Sequence, residues 1–253
     1  MSAAVSERRP LGAPTVLFLV VVAGVCWAVA VERMRGMDMG PGTDLGSFGW
    51  FAVAWATMMA AMMLPSLSPM AVASSPGEGV GQARSLARTV VFAGGYLLTW
   101  VAFGLLAYAL VKGVRSLDLG FLAWNRAGQY LAGGVILVAA LYELTAAKAR
   151  CLQHCRDVYL LRRRPSPAGA MMMGVEQGGY CVGCSGALMA ALFALGVMSI
   201  AWMLVIAAVV AIEKLLPWTA ISIGATAAAL AALGAAIMID PSRVPWLTIP
   251  MHM

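Results

Sequence analysis

Residues 169–213 read GAMMMGVEQGGYCVGCSGALMAALFALGVMSIAWMLVIAAVVAIE, about 45 residues that hold no base and only the acids Glu176 and Glu213. A single helix of that length would measure about 65 Å, more than twice the roughly 30 Å of a bilayer's hydrocarbon core. The stretch therefore predicts a hairpin of two helices, 171–192 and 197–213, turning near Gly196. Its apolar residues run continuously instead of alternating, which predicts helices and not the strands of a barrel.

Similar runs recur on either side, at about 13–31, 48–71, 89–111, 126–145 and 217–238. Together they predict an all-α, polytopic transmembrane helix bundle of about seven spans. The count falls to six if 169–213 crosses once and begins on the membrane surface. The composition agrees: 62% of the 253 residues are hydrophobic and 11% charged, against about 25% charged in soluble domains. So few polar side chains cannot cover a water-facing surface, so the lipid bilayer is the expected solvent. The expected organisation is a tail over 1–12, one integral membrane domain over 13–239 and a tail over 240–253. Arg8 and Arg9 precede the first run, which is long for a secretory signal and lacks a small-x-small cleavage site. It is read as the first span.

Charge sets the expected orientation. The connection 146–168 carries Lys148, Arg150, Arg156, Arg162, Arg163 and Arg164 against Asp157. Basic loops stay in the cytoplasm, which also places the N-terminus there. The loops 32–47 and 112–121 mix signs and belong outside. The net charge of +6 then reflects loop asymmetry and not a nucleic-acid footprint.

The sequence holds no phosphate loop, dinucleotide fingerprint, Ser-His-Asp order or zinc-protease helix, so no catalytic residue is assigned. Chemistry concentrates in sulfur. Four of the five cysteines form two clusters, Cys151-Leu-Gln-His154-Cys155 and Cys181-Val-Gly-Cys184. If the helix continues past 145, Cys151, His154 and Cys155 share one face, and two thiolates with an imidazole suit Cu(I) or zinc. The alternative is inert thiols beside a solvated histidine. Cys181 and Cys184 also share a helix face, either as soft ligands or a redox pair, or as small fillers in a glycine-rich interface.

Methionine extends the pattern. Met58, Met59, Met62 and Met63 stack in i, i+4 pairs, and Pro65 and Pro69 are expected to break or kink that helix. Met34, Met37 and Met39 lie in the first outer loop, and the chain ends Met251-His252-Met253. Thioethers suit Cu(I); methionine is equally a filler of apolar cores. Glu176, just inside a span, is a possible polar site. Glu143 and the Glu213-Lys214 pair read as interface anchors or an ion pair.

Four stretches carry a resemblance: WATMMAAMMLPSLSP (55–69), YELTAAKARCLQHCR (142–156), GVEQGGYCVGCSGALMAALFALGVMSIAW (174–202) and EKLLPW (213–218). Together they resemble an uncharacterised bacterial family described as predicted metal-binding integral membrane proteins, a domain of unknown function. The resemblance spans most of 48–220 and implies metal binding in a bacterial cytoplasmic membrane. One departure stands out. The family pattern after the tyrosine is Cys-x-Gly-Cys-Cys-Trp, whereas this chain places Ser185 and Gly186 after Cys184.

The leading expectation is therefore binding or translocation of a soft ion, copper before zinc. The outer methionines would collect it, Met58–Met63 pass it on, and Cys151, His154 and Cys155 exchange it with a soluble metallochaperone or a membrane partner. The ligand order is similar in kind to that of copper-uptake channels. The alternatives are a membrane thiol-disulfide oxidoreductase and a non-catalytic subunit that anchors a metalloprotein complex.

Overall fold

The structure is a computed structural model that describes residues 12–34, 46–74, 81–116, 128–160, 164–196, 199–216 and 219–240. Among them are eight α-helices and no strand. In chain order they are α1 (Ala13–Met34), α2 (Phe48–Ser74), α3 (Gln82–Ser116), α4 (Gln129–Glu143), α5 (Ala146–Arg156), α6 (Pro167–Leu195), α7 (Ile200–Leu215) and α8 (Thr219–Ile239).

Every expected apolar run is a helix, with ends within a few residues of expectation except at the start of α3. Five helices (α1, α2, α3, α6 and α8) are long and apolar enough to cross a membrane. The α4–α5 pair, bent by 68°, makes a sixth if it is one broken span. The remaining run, α7, has 16 residues and extends only about 24 Å at 1.5 Å per residue. It is shorter than the hydrocarbon thickness that the count of seven assumed.

Two local expectations need correction. Pro65 and Pro69 do not break α2, which continues to Ser74. Each proline lacks an N–H and leaves a carbonyl one turn back without its helical donor. Serine hydroxyls add side-chain bonds along this segment, Ser66 donating to the Met63 carbonyl at 2.9 Å and Ser74 to that of Ala71 at 2.8 Å. The helix through 126–145 also does not run on into Cys151. It ends at Glu143, turns at Leu144, and restarts where the Thr145 hydroxyl accepts the Lys148 N–H at 3.3 Å. That N-cap turns α5 across the bundle.

Helix α6 lies at the centre, packed against α3, α4, α5 and α7. Its contact with α3 is backbone to backbone. A methyl group on Gly174 would overlap the Phe92 carbonyl oxygen, and one on Gly95 would overlap that of Met171, so this interface requires the absence of side chains. Gly196 ends α6 at φ 108°, a left-handed conformation that glycine adopts without steric cost. It supplies the turn expected there.

Helix α2 packs against α1, α3 and α7. The Trp55 indole donates to the Trp100 carbonyl at 2.8 Å, while its ring lies 5.1 Å from Phe193 of α6. Arg88 of α3 closes one end of the bundle, donating to the carbonyls of Ser74 at 2.7 Å and Pro165 at 2.8 Å. The chain thereby reaches Ser166, whose hydroxyl accepts the Gly169 N–H and starts α6.

Candidate metal centre

Helix α5 buries Lys148, Leu152 and Cys155, a 4-then-3 spacing that puts all three on one face. That face packs against α6, which buries Cys181, Cys184 and Leu188 at the complementary spacing. The sulfurs of Cys155, Cys181 and Cys184 all lie within 4.8 Å of one another, and those of Cys155 and Cys184 are 3.5 Å apart. All three side chains are buried, and the thiols are free.

Glycine makes the approach possible. A Cβ on Gly183 would sit 2.6 Å from the Cys151 sulfur, so a side chain there would displace that sulfur. The Tyr142 hydroxyl donates to the Gly183 carbonyl at 2.6 Å. The bent α4–α5 pair is thus fixed on the turn of α6 that carries both Cys181 and Cys184.

The sulfurs differ in their surroundings. Cys181 accepts from the Lys214 ammonium at 2.8 Å and from the Tyr96 hydroxyl at 2.9 Å. Two donors on one sulfur suit a thiolate, and the ammonium is its counter-ion. Cys184 instead donates to the Cys181 carbonyl at 3.3 Å and touches the Ser185 hydroxyl at 3.4 Å. Lys214 also reaches the Ser66 hydroxyl at 3.5 Å, which brings the proline segment of α2 to the edge of the cluster.

The expected ligands are regrouped. Cys155 leaves Cys151 and His154 and joins Cys181 and Cys184, because the bend at Leu144 aims one face of α5 into the bundle. Cys151 is half-buried one turn earlier. The His154 ring stacks on Tyr180, with centroids 4.3 Å apart, and its Nδ1 bonds the Arg150 carbonyl at 3.0 Å. A carbonyl only accepts, so Nδ1 carries the proton and a neutral ring bears its lone pair on Nε2.

Met58, Met59, Met62 and Met63 are all buried in the bundle, as is Met34. Met37, Met39 and the chain from 241 onward lie outside the described residues. Glu176 is exposed and paired with Arg164 at 2.9 Å. Cys26 is half-buried in α1.

Sequence reasoning missed Tyr96 and Lys214 as partners of a sulfur. It read Glu143 and the Glu213-Lys214 pair as interface anchors or an ion pair; both acids are buried in ion pairs, with Lys148 as the partner. The available signal was a set of ionisable residues inside or beside apolar runs, which are expensive in a membrane unless paired or used.

A thiolate–metal bond of about 2.3 Å places the sulfurs of a planar three-coordinate site about 4.0 Å apart. The trio lies close to that spacing, with one pair of sulfurs 3.5 Å apart and all three within 4.8 Å. Three sulfurs, with a cation occupying the side near Cys181, suit trigonal Cu(I) better than zinc, which takes four ligands. Among known proteins, no curated protein and no solved structure matches the chain. A family model does: PpoB2, described as copper chaperone, matches residues 52–237. The matched segment contains all three converging cysteines, Tyr96, Lys214 and the methionines of α2. By this match over well more than half its length, the chain belongs to the PpoB2 copper-chaperone family.

Proposed function

We propose that this protein is an integral protein of a bacterial cytoplasmic membrane, with its N-terminus in the cytoplasm, that binds Cu(I) at Cys155, Cys181 and Cys184 and passes it on. The observation that carries the reading is the convergence of three buried thiols from two helices to within 4.8 Å. Each thiol that ligates the ion gives up its proton to solvent, and no electron moves. Lys214 offsets part of the negative charge that three thiolates leave on the complex.

Cys151 and the lone pair of His154 Nε2 lie on the same helix as Cys155, on its more exposed side. They serve as exchange ligands for a soluble or membrane-bound copper partner. The buried thioethers of Met58, Met59, Met62 and Met63 are weak soft sites on the neighbouring α2 and supply a route through the bundle. Weak successive sites allow an ion to enter and to leave.

The test is anaerobic purification in detergent with metal analysis and X-ray absorption at the copper edge. One Cu(I) per chain in an all-sulfur, three-coordinate shell is expected. Cys155→Ser, Cys181→Ser and Cys184→Ser each lose it, and Cys26→Ser keeps it. Retention of copper by all three site variants sinks the reading. Uptake of Ag(I) or Cu(I) into proteoliposomes tests passage separately from binding.

A second reading, thiol-disulfide exchange, draws on the 3.5 Å contact between the sulfurs of Cys155 and Cys184. It predicts thiols that cycle reversibly and a purified protein without metal.

A further inference from the structure

A second cluster of ionisable groups lies where α4, α5 and α7 meet. Lys148 is fully buried, and its ammonium contacts carboxylates from two other helices, Glu143 and Glu213. The bond to Glu213 measures 2.8 Å, and both acids are buried, at 1% and 2% exposure. Both oxygens of Glu143 and Oε1 of Glu213 are enclosed with no hydrogen-bond partner, Glu143 Oε2 being held only by its ion pair with Lys148.

The charges do not balance. Two carboxylates and one ammonium leave one surplus negative charge among buried side chains, where an uncompensated ion costs several kcal/mol. Among the described residues, no other side-chain cation is seen against the two carboxyl groups. Lys214 points to Cys181, and Arg156 donates to the backbone carbonyls of Glu213 and Leu216, at 3.2 and 2.6 Å. Helices α2 and α8 contain no ionisable side chain. From α6 the ionisable groups on this side are the thiols already described, while Glu176 is exposed and paired with Arg164.

Like-charged carboxyl groups that share a site resolve the conflict by keeping one proton between them. We propose that the Glu143–Lys148–Glu213 triad is a proton-binding site, whose carboxyl pair shares one proton and exchanges it at the bend between α4 and α5. Glu143 adjoins the bend at Leu144 and Thr145, both on the outside of the bundle. Ionisable groups buried in a membrane domain commonly serve proton relays. The site uses none of the thiols, so it stands apart from the copper reading.

Infrared spectroscopy of the full-length protein in maltoside, a detergent without a carbonyl group, tests it at neutral pH. The native protein shows a protonated-carboxyl C=O band that shifts in deuterium oxide. Glu143→Gln and Glu213→Gln each remove the surplus acid, so each loses the band. Lys148→Met leaves two carboxyls without a cation, and its band grows about twofold. The Gln variants keep the side-chain shape and lower the buried charge, so they fold, which circular dichroism and thermal unfolding in detergent verify. Absence of the band from the native protein, or its persistence at full intensity in Glu143→Gln, overturns the proposal.

Discussion

Replacing Lys214 with methionine keeps the length and apolar stem of the side chain and removes one charge. The ammonium lies 2.8 Å from the Cys181 sulfur. At that distance, and an effective dielectric constant of about 20, the attraction between unit charges is about 6 kcal/mol. Lys214 is only partly buried, so water screens much of it. A hydrogen bond to a charged group contributes about 1.5–3 kcal/mol net. At 1.4 kcal/mol per tenfold, Lys214→Met weakens Cu(I) binding by about 10- to 140-fold. Tyr96 still donates to the sulfur, so stoichiometry survives while affinity falls. The assay is anaerobic competition for Cu(I) against a chromophoric chelator, with circular dichroism as the check on folding. Lys214→Arg retains the charge and recovers part of the loss. An affinity for Lys214→Met within twofold of the native value, or tighter, refutes the assignment of Lys214 as counter-ion to the copper thiolate.

Gly174→Val drives a branched side chain into the Phe92 carbonyl, and overpacking of this kind costs about 1–3 kcal/mol or more; thermal unfolding in detergent reads it, with Gly134→Ala, which meets open space, as the unaffected control. Trp55→Phe keeps an aromatic ring beside Phe193 and loses the bond to the Trp100 carbonyl, for an expected loss of about 1 kcal/mol in the same measurement. Cys151→Ser leaves one copper per chain and slows its transfer to a soluble thiol acceptor, seen by stopped-flow with a Cu(I) indicator; unchanged rates remove Cys151 from the exchange path. Diamide treatment of the metal-free protein oxidises Cys155 and Cys184, whose sulfurs are 3.5 Å apart, to a disulfide that blocks copper binding. Prior loading with copper protects the pair, which thiol-labelling mass spectrometry detects.

The sequence alone determined that the chain is helical and where its helices lie. Unbroken apolar runs leave the backbone no partner but itself, and punctuation such as Gly196 acts within a few residues. It also determined the chemical palette, since soft sulfur ligands are recognisable by type in an otherwise inert composition. Only the tertiary structure decided which sulfurs meet. Spacing along one helix grouped Cys155 with Cys151 and His154, but a bend of 68° between α4 and α5 aims Cys155 at α6. Local periodicity cannot encode an angle set by packing on a distant helix. The roles of Lys214 and Tyr96 are unreadable for the same reason, because they lie 33 and 85 residues from Cys181 in sequence. Glu213 and Lys214 are adjacent in the chain, yet one turns to Lys148 and the other to Cys181. Successive side chains on a helix point about 100° apart, so neighbours in sequence serve different sites once other helices surround them.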